Sequence, residues 1–219
     1  IKLFQEAEAA STEIVSGVWR HRSRYMLADA LTWVGDFEKA HTLFLEAAEL
    51  SRKAEPHAVT QALAMAALNL VRNGKPQQAI ALLEGPDGVS HALACGVPAS
   101  VIMSLAVLAE ARLALGQEDE ALAAVEEAEH RANQGDDGTG YYSALFAYGA
   151  ILSVRLRVKN YGEKDAKGRR AIDTHLQRLA KMARIAPLGR ALNHLYRGLY
   201  DQQHNKLRSA RAHFERAVD

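Results

Sequence analysis

Cysteine, proline and aromatic residues are all scarce in this chain of 219 residues. Its one cysteine, Cys95, excludes an internal disulfide and any zinc site built from several cysteines. Aromatic residues make up only 6% of the sequence, and strand-like alternation of Val, Ile and Thr with polar residues is missing. No apolar run approaches the roughly 18 residues that a membrane-spanning helix needs. These absences favour a helical protein without a membrane segment, and a cytoplasmic location is expected.

The net charge of +1 hides a division of the chain into an acidic and a basic part. Residues 1–140 contain 11 Lys and Arg against 20 Asp and Glu, whereas residues 141–219 contain 16 against 6. A charge division of this kind can steer a partner or orient one molecule against another. It therefore keeps two ideas open, a charged binding surface and self-association of the two parts.

The stretch 27–50 has the pattern of two amphipathic helices joined by a tight turn. Apolar residues recur at helical spacing along one side of each half. Gly35 fits the left-handed position that ends a helix, and Asp36 fits the N-cap of the next helix. The stretch therefore predicts an antiparallel helix pair.

Variants of this helix pair recur along the chain, as a count from each turn residue shows. The turn residues are Gly35, Gly74, Gly116 and Asn205, the last because asparagine tolerates the left-handed conformation. Small residues stand seven before and five after each turn: Ala28, Ala67, Ala109 and Gly198, then Ala40, Ala79, Ala121 and Ala210. Bulky apolar residues stand nine after it: Phe44, Leu83, Val125 and Phe214. We expect the small residues to let paired helices approach closely and the bulky ones to fill the gaps between pairs.

The pattern of Gly35-Asp36-Phe37 with Ala40, Phe44 and Ala47 resembles the tetratricopeptide repeat (TPR) family. The resemblance implies an all-α fold, an α-solenoid of antiparallel helix pairs wound into a right-handed superhelix. It covers a single domain, 1–219, with a half unit at 1–16 and units at about 18–54, 57–95, 98–133, 139–185 and 187–219. The period is nearer 40 residues than the roughly 34 of the standard repeat. In this it is similar to the long repeats of MalT-like transcription regulators and of the sensor arms of bacterial signalling ATPases.

Both ends of the sequence have the pattern of a helix, so we expect a fragment of a larger protein.

No residue combination carries a catalytic or metal-binding signature. The nine histidines include no pair at the i, i+4 spacing that aims two imidazoles at one metal from a single helix. The glycine-rich stretch 135–140 contains no lysine and does not follow a strand, so it lacks the features of a phosphate-binding loop. The sequence predicts no catalytic residues, no metal and no cofactor.

The first candidate binding surface is a groove. The family resemblance implies that the first helix of each pair lines a concave face. Counting back along each first helix from its turn residue predicts which side chains point into this groove. They are Arg22, Tyr25, Asp29 and Thr32 in the first pair, and Gln61 in the second. Such a mixed polar and aromatic lining suits a protein segment or a small-molecule effector.

The second candidate surface is a basic patch around a long polar connection. Its members are Arg155, Arg157, Lys159, Lys164, Lys167, Arg169 and Arg170. They could bind phosphate groups or an acidic peptide, or they could only keep a helix end and a loop solvated. Nucleic acid is the less favoured partner for them.

The favoured function is non-catalytic binding of a protein, peptide or small effector. The resemblance implies that such a module serves as the regulatory arm of a bacterial signalling or transcription regulator. The alternative is a scaffold that forms a homo-oligomer through its acidic and basic parts.

Overall fold

The computed structural model describes residues 1–12, 17–52, 55–134, 143–158, 166–186 and 188–218. Twelve helices lie in these ranges: α1 Lys2–Thr12, α2 Gly17–Val34, α3 Phe37–Ser51, α4 Pro56–Arg72, α5 Pro76–Leu83, α6 Val89–Cys95, α7 Pro98–Ala114, α8 Glu118–Gln134, α9 Ser143–Arg157, α10 Ala166–Ile185, α11 Leu188–Gln203 and α12 Leu207–Val218. No described helix combines the length and the apolar character needed to cross a membrane. The glycine-rich stretch 135–140 and most of the polar connection before α10 lie outside the described residues.

Four turns share one backbone motif, and they are the four predicted from the repeat. Gly35, Gly74, Gly116 and Asn205 have φ angles of 85°, 72°, 76° and 59°. After each of them, the next N–H donates to the carbonyl five residues earlier, as that of Lys75 does to Leu70 at 2.8 Å. This Schellman motif satisfies carbonyls that would otherwise lack a partner at the end of the first helix. The left-handed turns are confirmed, including the one at Asn205.

Helix starts depend less on side-chain caps than the sequence suggested. Pro56, Pro76 and Pro98 occupy the first turn of α4, α5 and α7, where a missing N–H removes no intrahelical bond. Asp36 stands at the N-cap of α3, but its side chain makes no capping hydrogen bond. The predicted capping role of Asp36 is therefore wrong.

The helices pack in pairs, α2 with α3, α4 with α5, α7 with α8, α9 with α10, and α11 with α12. The first helices α4, α7, α9 and α11 also pack one against the next, and each second helix contacts the first helix of the following pair. The short α6 packs against α4 and α7. This arrangement is an α-solenoid of antiparallel helix pairs, in which each unit buries the apolar side of its neighbour.

The small positions of the repeat lie where the sequence predicts. The alanines before and after the first three turns are all fully buried: Ala28, Ala67, Ala109, Ala40, Ala79 and Ala121. A Cβ added to Gly198 would come within 2.5 Å of the Phe214 ring, so only glycine allows that ring to lie there. Phe44 is fully buried, whereas Phe214, at the same position of the last pair, is partly exposed. The prediction that small residues bring the paired helices close together is confirmed.

Candidate functional site

The first helices of the five pairs contribute a row of polar side chains that act on one another. Its members are Asp29 of α2, Arg72 of α4, Glu110 of α7, Arg157 of α9 and Tyr196 of α11. Arg72 interacts electrostatically with Asp29, Glu110 and Tyr196, and Arg157 interacts with Glu110 and Tyr196. We call the surface formed by these five residues together with Tyr25, Trp33, Phe146 and Ser153 the first-helix face.

The first-helix face is concave. The ring centroids of Trp33 on α2 and Phe146 on α9 are 5.0 Å apart, although α4 and α7 lie between those two helices in the order of packing. Helices so far apart in the array can meet when it curves toward this face. The guanidinium carbon of Arg72 lies 5.3 Å from the centroid of the same Phe146 ring, a distance at which a cation is attracted to an aromatic face.

Tyr25, Asp29 and Trp33 follow one another at one-turn intervals on α2. Asp29 is only 8% exposed, and this burial raises the pKa of its carboxyl to about 6, against the lowering influence of Arg72 and the Trp33 indole. The Asp29 oxygen and the Trp33 N–H interact, but neither forms a hydrogen bond of normal geometry. Burial, together with the Asp29 charge, raises the pKa of Tyr25, whose ring meets that of Phe44 edge-on at 5.0 Å.

Glu110 is the second carboxyl of the first-helix face. Burial raises its pKa, while a hydrogen bond with Ser153 and the charges of Arg72 and Arg157 act in the opposite direction. Burial is the main cause of the raised pKa of the neighbouring Tyr196, and the Glu110 charge is the second cause. A Cβ at Gly149 would lie 3.2 Å from the Tyr196 ring, so the absence of a side chain there makes room for the phenol.

Arg72 and Arg157 are the exposed charges of the first-helix face. Neither forms a hydrogen bond or an ion pair within the described ranges. The Arg72 side chain is open to solvent on one side and surrounded by protein on the others, which lowers the pKa of its guanidinium against the raising influence of Glu110, Tyr196 and Asp29. The carboxyls thus lie deeper than the guanidiniums, and a ligand from solvent meets the two arginines first.

The structure brings only part of the predicted groove set to this face. Tyr25 and Asp29 belong to it. Arg22 is exposed and forms an ion pair with Glu55 at 2.8 Å, while Gln61 is partly exposed on α4.

Thr32 was predicted to point into the groove, and that prediction is wrong. It is 2% exposed and bonds to the Ala28 carbonyl at 3.0 Å and to the Asn69 side chain. A β-branched hydroxyl can bond the carbonyl one turn back, so Thr32 is satisfied between α2 and α4.

The predicted basic patch divides in the structure. Arg155 is 2% exposed and donates to Glu129 through Nε at 3.0 Å and Nη2 at 2.5 Å, so its assignment to a basic surface is wrong. Arg157 belongs to the first-helix face. Arg169 and Arg170 are exposed near the start of α10. Lys159, Lys164 and the side chain of Lys167 lie outside the described residues.

A buried polar cluster joins the third and fourth pairs behind the first-helix face. Glu129 of α8 accepts from Arg155 of α9 and lies 3.3 Å from the Nε2 atom of His175 on α10. Burial lowers the pKa of His175, while the hydrogen bonds from His175 and Arg155 hold the pKa of Glu129 below its usual value despite its burial. This cluster holds three helices together and is not accessible to a ligand.

Sequence reasoning missed Arg72, Glu110 and Tyr196. Glu110 could have been found, because it precedes Gly116 by six residues, as Asp29 precedes Gly35 by six. Extending the count to the third pair therefore predicts a carboxyl on this face. Arg72 gives no such signal, because no other unit has a charged residue two before its turn glycine.

Among the described residues, no three His, Cys, Asp or Glu side chains come together in a way that could hold a metal ion.

No family model and no curated protein matches the chain. Among solved structures, it is similar to BtubC (BKLC) from P. vanneervenii, with a TM-score of 0.56 and 18% identity over 98% of this chain and 85% of that one. It is also similar to a putative kinesin light chain with TPR-like repeats from Podosopora anserina, with a TM-score of 0.48, and to a variant of that protein, with a TM-score of 0.49. In both cases the identity is 18%, over 91% of this chain and 93% of the other. At such identities the likeness is one of fold, and the similarity to BtubC agrees with the α-solenoid that the helix packing shows.

Proposed function

We propose that the protein is a non-catalytic binding module whose first-helix face holds an acidic segment of a partner protein. Arg72 and Arg157 contact the carboxylates of that segment, and Tyr25, Trp33 and Tyr196 contact its less polar parts. The observation that carries the proposal is the exposure of both guanidiniums on a concave face, with no hydrogen-bond acceptor for either among the described residues.

The depth of the charges favours an anionic ligand over a cationic one. Asp29 is 8% exposed, and Glu110 is engaged by Ser153. The pKa values of both carboxyls are raised, so burial makes their negative charge less stable here than it is in water. Guanidinium groups offer paired N–H donors that match carboxylate oxygens, and such charge-assisted bonds are stronger than neutral ones.

A peptide-binding measurement tests this proposal. A fluorescent Glu-rich peptide and a Lys-rich peptide of equal length are titrated with the protein and followed by anisotropy. The Glu-rich peptide should bind more tightly, and Arg72→Glu should weaken it roughly 10- to 100-fold, the equivalent of losing a charged hydrogen bond worth about 1.5–3 kcal/mol. Arg170→Glu is the matched control, because it makes the same charge change on the exposed side of α10. Equal weakening by the two variants, or tighter binding of the Lys-rich peptide, would refute the proposal.

The sequence resemblance adds a wider proposal, that the module is the cytoplasmic regulatory arm of a signalling or transcription regulator. Its alternative is a scaffold that self-associates, which the opposite charges of residues 1–140 and 141–219 favour. Molecular mass measured by light scattering against salt concentration separates the two. A scaffold should form oligomers that dissociate as salt screens the charges, whereas a monomer at low salt removes the alternative.

A further inference from the structure

Two histidines face each other across the interface of the last helix pair. Nδ1 of His194 on α11 and Nδ1 of His213 on α12 are 3.0 Å apart. The ring centroids are 5.2 Å apart, and the planes are tilted by 33°. This N–N distance is that of an N–H···N hydrogen bond, in which one ring supplies the proton and the other the lone pair. Two doubly protonated rings would oppose two N–H groups, so the contact holds a single proton between its nitrogens.

The surroundings of His194 disfavour a positive charge on it. Burial lowers the pKa of His194, and His213, Arg216 and Arg197 lower it further. A carboxylate oxygen of Asp201 lies 3.9 Å from Nε2 of His213, on the other side of that ring from His194. Asp201 therefore lies beside His213 and is not placed to offset a positive charge on His194.

Charged groups from neighbouring helices act at other positions on α11. Arg157 of α9 acts on Tyr196, as does Glu110 of α7. From α10, Asp173 and Arg169 act on Tyr200. The balance of charge at the histidine contact is therefore set mainly by α11 and α12 themselves.

We propose that the contact between His194 and His213 is a proton-operated latch that holds α12 against α11 at neutral pH and releases it in acid. While a single proton lies between the two Nδ1 atoms, one ring donates to the other and the contact is kept. The second proton makes both nitrogens donors and forces the rings apart. Since α11 is the helix that α12 packs against, losing this contact weakens the attachment of the whole helix.

The direction of the pH effect follows from the lowered pKa of His194. In the attached state His194 resists protonation, so the detached state binds more protons as the pH falls below the ordinary histidine value of about 6.5. Attachment of α12 is therefore strongest above that pH and weakens below it. Release separates the Phe214 ring from Gly198, where the two now touch.

Hydrogen exchange read by mass spectrometry tests the latch in the whole chain. Protection of the segment 207–218, corrected for intrinsic exchange, should fall up to about tenfold between pH 7.5 and pH 5, the size expected for losing one side-chain hydrogen bond, whereas α3–α8 should change less. His194→Gln should remove most of this fall, because an amide cannot take up the second proton. His204→Gln is the matched control, since His204 is an exposed histidine just beyond α11 and should leave the fall intact.

A second readout avoids any variant that fails to fold. In the intact protein, imidazole NMR signals should show the pair titrating in two separated steps, as interacting sites do. The proposal is overturned if both rings titrate together near pH 6.5 as independent histidines. It is equally overturned if His194→Gln loses protection of α12 in acid to the same extent as the unchanged protein.

Discussion

Replacing the buried carboxyl of the first-helix face by its neutral isostere should make the protein more stable at neutral pH. Burial raises the pKa of Asp29 to about 6 in the folded protein, compared with about 3.9 for an unperturbed aspartate. The unfolded chain therefore releases this proton more readily, and stability is lost as the pH rises through that window. With about 1.36 kcal/mol per unit, Asp29→Asn should raise the unfolding free energy by about 2–3 kcal/mol at pH 7. At pH 4, where the folded carboxyl is already protonated, the gain should shrink to about 0.5 kcal/mol.

Urea denaturation followed by tryptophan fluorescence is a suitable assay, because Trp19 and Trp33, the two tryptophans of the chain, both lie on α2 with Asp29. Asp36→Asn is the matched control. Asp36 is exposed and makes no capping bond, so its replacement should change stability by less than about 0.5 kcal/mol at either pH. A less stable Asp29→Asn protein at pH 7, or a gain that does not depend on pH, would show that the carboxyl is stabilised by partners rather than destabilised by burial.

The same variant connects stability with binding. Removing a negative charge beside Arg72 leaves the first-helix face more positive, so the Glu-rich peptide should bind at least as tightly to Asp29→Asn as to the unchanged protein. A buried acid that lowers stability is a feature expected at sites kept for function.

Two further predictions concern the scaffold, and both can be measured by urea denaturation. Gly116→Ala should lower the unfolding free energy by about 1–2 kcal/mol, because alanine is strained at a φ of 76° even though space for a Cβ is open. Asn205→Gly is the control and should cause no such loss. Equal losses in the two variants would contradict the role of the left-handed turns. Arg155→Met should cost about 3–5 kcal/mol by leaving the Glu129 carboxylate buried without its guanidinium partner, and adding Glu129→Leu should recover most of that cost. A double variant no more stable than Arg155→Met would show that packing of the arginine, and not its charge, holds α8 to α9.

The architecture could be predicted because the information for it is local. Glycines and an asparagine at fixed distances from alanines define each helix pair, and the Schellman turns at Gly35 and Asn205 depend only on the backbone preferences of those residues. The same locality explains the error at Asp36. Its position in the sequence suits a cap, but whether its carboxylate bonds the helix is decided by side-chain orientation.

The candidate site could be predicted only in part, because rotation of a helix about its own axis is set by tertiary packing. Arg155 and Arg157 stand two residues apart on α9, yet the first is buried and the second exposed. The residues from Ala144 to Leu156 are buried on almost every side of this helix, so it has no polar stripe that reveals its orientation from sequence. The contact of His194 with His213 was missed for a related reason, since a search for pairs within one helix cannot detect rings on two.

The contact between Trp33 and Phe146 also sets an order in which the chain can fold. An array whose units touch only their neighbours can begin folding at any unit and extend outward. A contact between the first and fourth units must instead close a long loop of chain, and such closure is entropically costly and slow. Trp33 and Phe146 therefore meet only after the units between them have formed. During refolding, a binding-competent surface should appear later than the helices themselves.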